Sequence, residues 1–289
     1  MSLRYSTVTF LSDYGRTDEF VGVVHSVIRA LSPDVRVIDL THDIPPYDVR
    51  AGGLTLARSA QYLSAGVVVA VVDPTVGSLR RPIAVEVGDG ASVLVGPDNG
   101  LLAPAVAMVG GATRAVWLND PEYHLEAAGP TFDGRDVFAP VAAHLCNGVP
   151  LEDLGELVDT GGLMPGLMPL TREEDGGLVC EVLWVDRYGN VQLNVDPDEI
   201  DPLGGTFEVQ LPTGRRSARR AHTFTDIGTG SIGLIIDSYG LIALAANQSS
   251  AAEELGLAAG DGVTLKPLDE DASPDPTSVN IQLGRTRGG

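Results

Sequence analysis

The run Ala65-Gly66-Val67-Val68-Val69-Ala70-Val71-Val72 places eight apolar residues in succession, most of them Val. Such a run reads as a strand buried on both faces, the kind found inside a parallel sheet. A strand of this type demands helices above and below it. It runs directly into Asp73-Pro74-Thr75-Val76-Gly77-Ser78-Leu79-Arg80-Arg81. A carboxylate at a strand's carboxyl end, with a Pro/Gly turn returning an arginine, stands where open α/β sheets place their ligands. An Asp–Arg pair there can fix a small polar molecule in one orientation.

The flanking patterns supply the helices. Strands are expected at 7–11, 35–40, 83–87, 92–95 and 114–118, and helices at 18–31, 48–63, 99–109 and 135–146. Strand–helix alternation predicts a mostly parallel central sheet covered on both faces. Near residue 165 the texture changes to Pro, Gly and charge, and beyond it come short strands and Gly-rich turns. Strands are expected at 178–185, 206–211, 233–236, 241–245 and 263–265, with one short helix at 250–255. The expected organisation is therefore an α/β domain at 1–164, a linker at 165–177, a smaller all-β, barrel-like domain at 178–268 and a mobile tail at 269–289. A chain of 289 residues is long enough for two domains.

Composition narrows the function classes. The net charge of −20 argues against nucleic acid as a partner, because its phosphates would be repelled, and could attract a cationic small molecule. No run approaches the roughly 18 apolar residues of a membrane span, and Met1-Ser2-Leu3-Arg4-Tyr5 carries no signal-peptide pattern. A cytoplasmic location is expected. Cys146 and Cys180 are too few for a disulfide framework and read as buried apolar residues. His25, His42, His124, His144 and His222 show no pair at helical ligand spacing, so no metal is expected.

Gly228-Thr229-Gly230-Ser231-Ile232-Gly233 matches the dinucleotide fingerprint, but a strand-like Leu234-Ile235-Ile236 follows it rather than a helix, which removes the physical basis for phosphate binding. Leu11-Ser12-Asp13-Tyr14-Gly15 puts a second acid at a strand end on the edge that carries Asp73. Asp13 there could accept hydrogen bonds from a ribose diol or cap the following helix. Thr131-Phe132-Asp133-Gly134-Arg135-Asp136 precedes a helix that Asp133 or Asp136 could cap, and Asp186-Arg187-Tyr188-Gly189-Asn190 fits a hairpin turn.

Read in order, these segments carry a resemblance. The set comprises Leu11-Ser12-Asp13-Tyr14-Gly15, His42-Asp43-Ile44-Pro45-Pro46-Tyr47-Asp48, Val72-Asp73-Pro74 with Val76-Gly77 and Arg80, and Gly96-Pro97-Asp98-Asn99-Gly100-Leu101-Leu102. It continues through Phe132, Gly134-Arg135-Asp136, Phe138-Ala139-Pro140, and Asp186 with Tyr188-Gly189-Asn190. The chain resembles the S-adenosyl-L-methionine hydroxide adenosyltransferase family, adenosine-forming hydrolases related to the fluorinase and chlorinase enzymes, over roughly residues 7–267.

The resemblance implies an α/β domain followed by a β-barrel-like domain, and a homotrimer with sites at subunit interfaces. It implies S-adenosyl-L-methionine as the substrate, water as co-substrate, adenosine and L-methionine as products, and no cofactor or metal. In the family an Asp–Arg–His set is thought to hold the water. Asp73 and Arg80 match its first two positions, with Arg80 holding Asp73 as hydrogen-bond acceptor and possible base. Asp133 stands where the family usually carries His, with no nearby histidine to replace it. If Asp133 faces Asp73 across Arg80, the two carboxylates form a coupled pair. For binding, the resemblance assigns Asp13 to the ribose hydroxyls and Tyr47 to the ribose and methionine chain. It places Asp18 and Asp186 near the methionine ammonium, and Tyr188 and Asn190 at the adenine. Ser238 and Tyr239 fall near the methionine carboxylate, and Asn247 at the adenine end. Gly88-Asp89-Gly90-Ala91 is a tight turn where the fluorinase carries a long insertion, so fluoride chemistry is not expected. Two alternatives remain: a non-catalytic S-adenosylmethionine or adenosine binder, and a halide-using relative that forms 5′-chloro-5′-deoxyadenosine.

Overall fold

The computed structural model describes residues 3–268, so the tail expected at 269–289 lies outside the described residues. The chain divides into two compact units between Met168 and Pro169.

The first unit contains β1 (Thr7–Ser12), α1 (Phe20–Leu31), β2 (Arg36–Thr41), α2 (Val49–Ala60), β3 (Val67–Val71), β4 (Pro82–Val87), β5 (Ser92–Pro97), α3 (Ala103–Met108), β6 (Ala112–Trp117), α4 (Ala139–Cys146) and β7 (Glu156–Val158). The strands form one sheet in the order β2-β1-β3-β5-β4-β6-β7. β1, β2, β3, β5 and β6 run in one direction, and β4 and β7 oppose them. The sheet is thus mostly parallel.

The Val-rich run occupies its centre. Val67, Val69 and Val71 pack with Val24 and Ile28 of α1 and Ala142 and Leu145 of α4. Val68, Ala70 and Val72 face the other side, against Leu56 of α2, Ala105 of α3 and Leu102 just before α3. Each fully buried Val contributes about 1.5–3 kcal/mol by leaving water, which is why this run determines the layering. Two glycines sit inside α2 because the helix lies close to its neighbours. A Cβ on Gly52 would approach Val72 Cγ2 to 2.9 Å, and one on Gly53 would approach the Leu101 carbonyl oxygen to 3.1 Å.

Helix α3 is shorter than the expected 99–109. The Asn99 side chain binds the Val72 carbonyl and the Leu101 N–H instead, which turns the chain before the helix can start. The helix expected at 135–146 opens with a π-helical turn, Gly134–Phe138, before α4. π-Turns are rare and often mark functional sites.

The second unit contains β8 (Arg172–Glu174), β9 (Gly177–Val185), β10 (Val191–Leu193), α5 (Pro197–Ile200), β11 (Thr206–Leu211), β12 (Gly214–Arg220), β13 (Ile232–Ile236), β14 (Ile242–Ala246), α6 (Ala251–Leu255) and β15 (Gly262–Pro267). The order β10-β14-β13-β12-β11-β15-β9 closes through a β9–β10 pairing into a seven-stranded barrel, with β8 added beside β9. Phe207, Val209, Leu234, Leu244 and Leu265 fill its core.

Three strands of this unit, like β7 of the first, are absent from the sequence reading. β12 is charged and mostly exposed, with no alternation to reveal it, and forms because it pairs with β11 across a tight hairpin. β10 spans only three residues. β8 lies within the stretch read as a linker, where it pairs with β9. The Gly-rich 228–233 segment turns at Ser231 and enters β13, so no helix N-terminus follows it. No helix among the described residues is long and apolar enough to cross a membrane.

Candidate active site

Strands β1 and β3 are parallel neighbours with Ser12 opposite Val71, so the residues that follow them emerge side by side at one sheet edge. Asp13 donates its backbone N–H to the Val71 carbonyl, and Asp73 lies two residues beyond β3. Turn hydrogen bonds from Val76 to Asp73 and from Ser78 to Thr75 then bring Arg80 back over the strand end. The turn requires a glycine: Gly77 has φ of 78°, and a Cβ there would meet the Pro130 carbonyl oxygen at 2.6 Å.

Arg80 joins two carboxylates. Its Nε donates to Asp73 Oδ2 at 2.8 Å, and its terminal nitrogen donates to both Asp73 and Asp133. The three side chains are 8%, 5% and 17% exposed for Arg80, Asp73 and Asp133 respectively. The guanidinium also lies over the Phe138 ring, 5.6 Å from its centroid. Burial works against the charge on Arg80, but the hydrogen bonds and charges of Asp73 and then Asp133 outweigh it and hold the pKa above its ordinary value. Asp133 makes no capping hydrogen bond, and Asp136 pairs with Arg135 instead. The sequence therefore supplies three charged groups that only the fold brings into contact.

A pocket of about 370 Å³ opens above this cluster, lined by Asp13, Tyr14, Phe20, Tyr47, Asp73 and Asp133 among others. Asp13 Oδ2 accepts the Tyr47 N–H at 2.9 Å, which helps hold Tyr47 at a φ of 70° that bulky residues seldom adopt. The rings of Tyr14, Phe20 and Phe132 stack edge to face or tilted, with centroids 5.1–5.6 Å apart. Burial raises the Tyr14 pKa, and the charges of Asp13, Asp73 and Asp133 add to it, so the phenol keeps its proton. Asp18 is exposed and does not line this pocket.

Three aromatic members of the pocket, Tyr14, Phe20 and Phe132, are not among the expected site residues. Tyr14 and Phe132 lie inside the motifs that carry Asp13 and Asp133, a signal that adjacency alone could have given. Phe20 carries none. His124 is also outside that expected set. Its Nε2 is buried without a hydrogen-bond partner among the described residues, and burial lowers its pKa while the charges of Asp133 and Asp120 oppose that shift. His124 is thus within the electrostatic reach of Asp133.

The second unit has its own polar hollow, about 500 Å³, lined by Trp184, Asp186, Tyr188, Asn190, Ser238 and Tyr239 among others. Asp186 sits in the hairpin turn expected from sequence, which joins β9 to β10, and accepts there from the N–H groups of Tyr188 and Asn190 and from Asn190 Nδ2. Asp237, which was not singled out, fixes the neighbouring turn by accepting from the N–H groups of Tyr239 and Leu241. Asn247 lines an adjoining hollow with Tyr188, Asn190 and Phe224, and binds the Ile227 carbonyl. Each unit thus collects its own share of the expected site residues.

Comparison with known proteins agrees with this division. Residues 8–155 match the SAM hydroxide adenosyltransferase N-terminal domain, and residues 180–264 match the C-terminal domain. The (R)-S-adenosyl-L-methionine hydrolase of Salinispora tropica is 46% identical over 254 residues, covering 88% of this chain and 95% of that protein. The enzyme of the same name from Thermus thermophilus is 41% identical, covering 89% and 98%. A fluorinase from Nocardia brasiliensis is more distant, at 28% identity over 91% of this chain and 97% of its own. An uncharacterized conserved protein from Thermotoga maritima has a crystal structure that superposes with a TM-score of 0.83 at 30% identity, covering 90% and 99%. By sequence and by fold, the chain belongs to the SAM hydroxide adenosyltransferase family.

Proposed function

We propose that this protein hydrolyses S-adenosyl-L-methionine to adenosine and L-methionine, with Asp73 and Arg80 holding the attacking water. The observation that carries this reading is the Asp73–Arg80–Asp133 cluster at the base of a pocket walled by Tyr14, Phe20 and Phe132. The relatives named (R)-S-adenosyl-L-methionine hydrolase support the same substrate and reaction.

A sulfonium makes C5′ electrophilic, and its positive charge suits a pocket whose charged lining residues are carboxylates. The water oxygen attacks C5′ from the side opposite sulfur. The C5′–S bond breaks, its electron pair stays on sulfur, and methionine leaves as a neutral thioether. The proton shed by the water passes to Asp73 and then to solvent. Positioning and exclusion of bulk water supply most of the acceleration.

In this scheme Arg80 aims Asp73, and Asp133 fixes Arg80 from its other side. Asp13 takes the ribose hydroxyls and Tyr47 covers the ribose and methionine chain. Asp18, Asp186, Ser238 and Tyr239 serve the amino-acid end, and Tyr188, Asn190 and Asn247 serve the adenine. The reaction needs no cofactor or metal. The assembly we propose is a homotrimer with sites at subunit interfaces, and sedimentation equilibrium tests it.

The test is incubation with S-adenosylmethionine, with and without chloride, and identification of products by chromatography. Adenosine and methionine, lost in Asp73→Ala, support hydrolysis. 5′-Chloro-5′-deoxyadenosine would overturn it, although the carboxylates of Asp73 and Asp133 disfavour a bound chloride. Binding without turnover would make the protein a non-catalytic binder.

A further inference from the structure

We propose that His25, Asp39 and His42 form a binding site for a divalent transition-metal ion, apart from the pocket above Asp73. None of the three lines that pocket. His25 comes from α1, Asp39 from β2 and His42 from the loop after β2, so no local spacing in the sequence announces them. The fold brings one donor atom from each to within 4.8 Å of the others.

The spacing suits an ion. Asp39 Oδ1 lies 2.7 Å from His25 Nε2 and 3.1 Å from His42 Nε2. Donors bonded at roughly 2.0–2.2 Å to one tetrahedral ion stand about 3.3–3.6 Å apart. An outward shift of well under about 1 Å therefore takes Asp39 from its hydrogen bond with His25 to a ligand position beside both imidazoles.

The second observation concerns His42. It is fully buried, and among the described residues its Nε2 makes no hydrogen bond. The 3.1 Å approach to Asp39 gives an electrostatic contact, but the ring nitrogen is not aimed along a hydrogen-bond line to the carboxylate. If Asp39 merely bridged two imidazoles, this nitrogen would stay without a well-aimed hydrogen bond, an unfavourable state for a buried polar group. An ion removes that cost.

The surroundings fit as well. His42 Nδ1 lies 2.8 Å from Ser12 Oγ, the outer contact by which metal-bound histidines are commonly oriented. With the Nδ1 proton given to Ser12, Nε2 presents its lone pair to the ion. His25 and Asp39 are 35% and 26% exposed, which leaves a path for entry and room for water ligands. Two imidazoles and one carboxylate suit Zn²⁺ and its first-row neighbours better than Ca²⁺ or Mg²⁺.

Occupancy would also reach the neighbouring loop. Ser12 Oγ accepts the Tyr14 N–H, and the His42 carbonyl accepts the Gly15 N–H. The ion would thereby brace the turn that carries Asp13, without taking part in the reaction.

The test uses the full chain freed of metal by a chelator and titrated calorimetrically with ZnCl₂ at neutral pH. One ion per chain is expected. His25→Ala and Asp39→Asn should each weaken binding at least about 10-fold, the size that even outer-contact changes produce. His144→Ala should leave it unchanged. Circular dichroism shows whether each variant is folded, and Co²⁺ absorption reports imidazole coordination in the parent protein. Absence of saturable binding overturns the site, and so does binding that folded His25→Ala and Asp39→Asn proteins retain in full.

Discussion

Replacing Arg80 with Met tests whether this one guanidinium neutralises two buried carboxylates. Met keeps the unbranched stem and removes the charge. It leaves Asp73 and Asp133, 5% and 17% exposed, facing each other with no cation between them. Breaking a buried ion pair in this way costs about 3–5 kcal/mol, and the lost contact with the Phe138 ring adds about 0.5–2 kcal/mol. For a unit of this size, a combined loss of about 3.5–7 kcal/mol lowers Tm by roughly 7–28 °C. Urea unfolding can be followed through Trp117 in the first unit, in a Trp184→Phe background that silences the second. Adding Asp133→Asn to Arg80→Met removes one of the two opposed charges and should restore about 1–3 kcal/mol. A single-variant cost below about 1 kcal/mol, or no recovery in the double variant, refutes the neutralisation argument.

Glu86 pairs across the strands with Arg114, whose hydrogen bonds hold the Glu86 carboxyl below its ordinary pKa despite burial. A lowered folded value contributes stability that is present above the unfolded pKa of about 4.3 and lost as pH falls through the folded value. Glu86→Gln should lose about 1.5–3 kcal/mol at neutral pH, and the gap in Tm to the parent should close below pH of about 4. A gap that stays constant from pH 3 to 8 contradicts this. Gly134→Ala drives a Cβ into the Tyr14 hydroxyl, so it should weaken substrate binding or turnover sharply. Tyr14→Phe should partly rescue it in product assays, and equal defects with and without that second change would sink the steric account. Asp133→His should raise the hydrolysis rate if the Asp limits water activation, and an unchanged or lower kcat rules that out.

The sequence by itself determined the layering of the first unit. The Val-rich run at 65–72 can be satisfied only between two apolar helix layers, and the alternation of elements around it supplied them. It also indicated that Asp13 and Asp73 share a sheet edge, because both follow parallel strands at their carboxyl ends. The ordered motifs pointed to a family that the whole-chain comparison then established.

Other features were decided by contacts remote in sequence. The polar strand β12 has no apolar alternation and exists only because β11 and β13 provide backbone partners on either side. Whether Asp133 caps a helix or binds Arg80 is open in the sequence, where both need only a carboxylate near a helix start. The π-helical turn and the return of Arg80 over β3 resolve it. The cluster of His25, Asp39 and His42 was invisible for the same reason. Its donors come from a helix, a strand and a loop, and a charged side chain carries no periodic signal of the partner that it will meet across the fold.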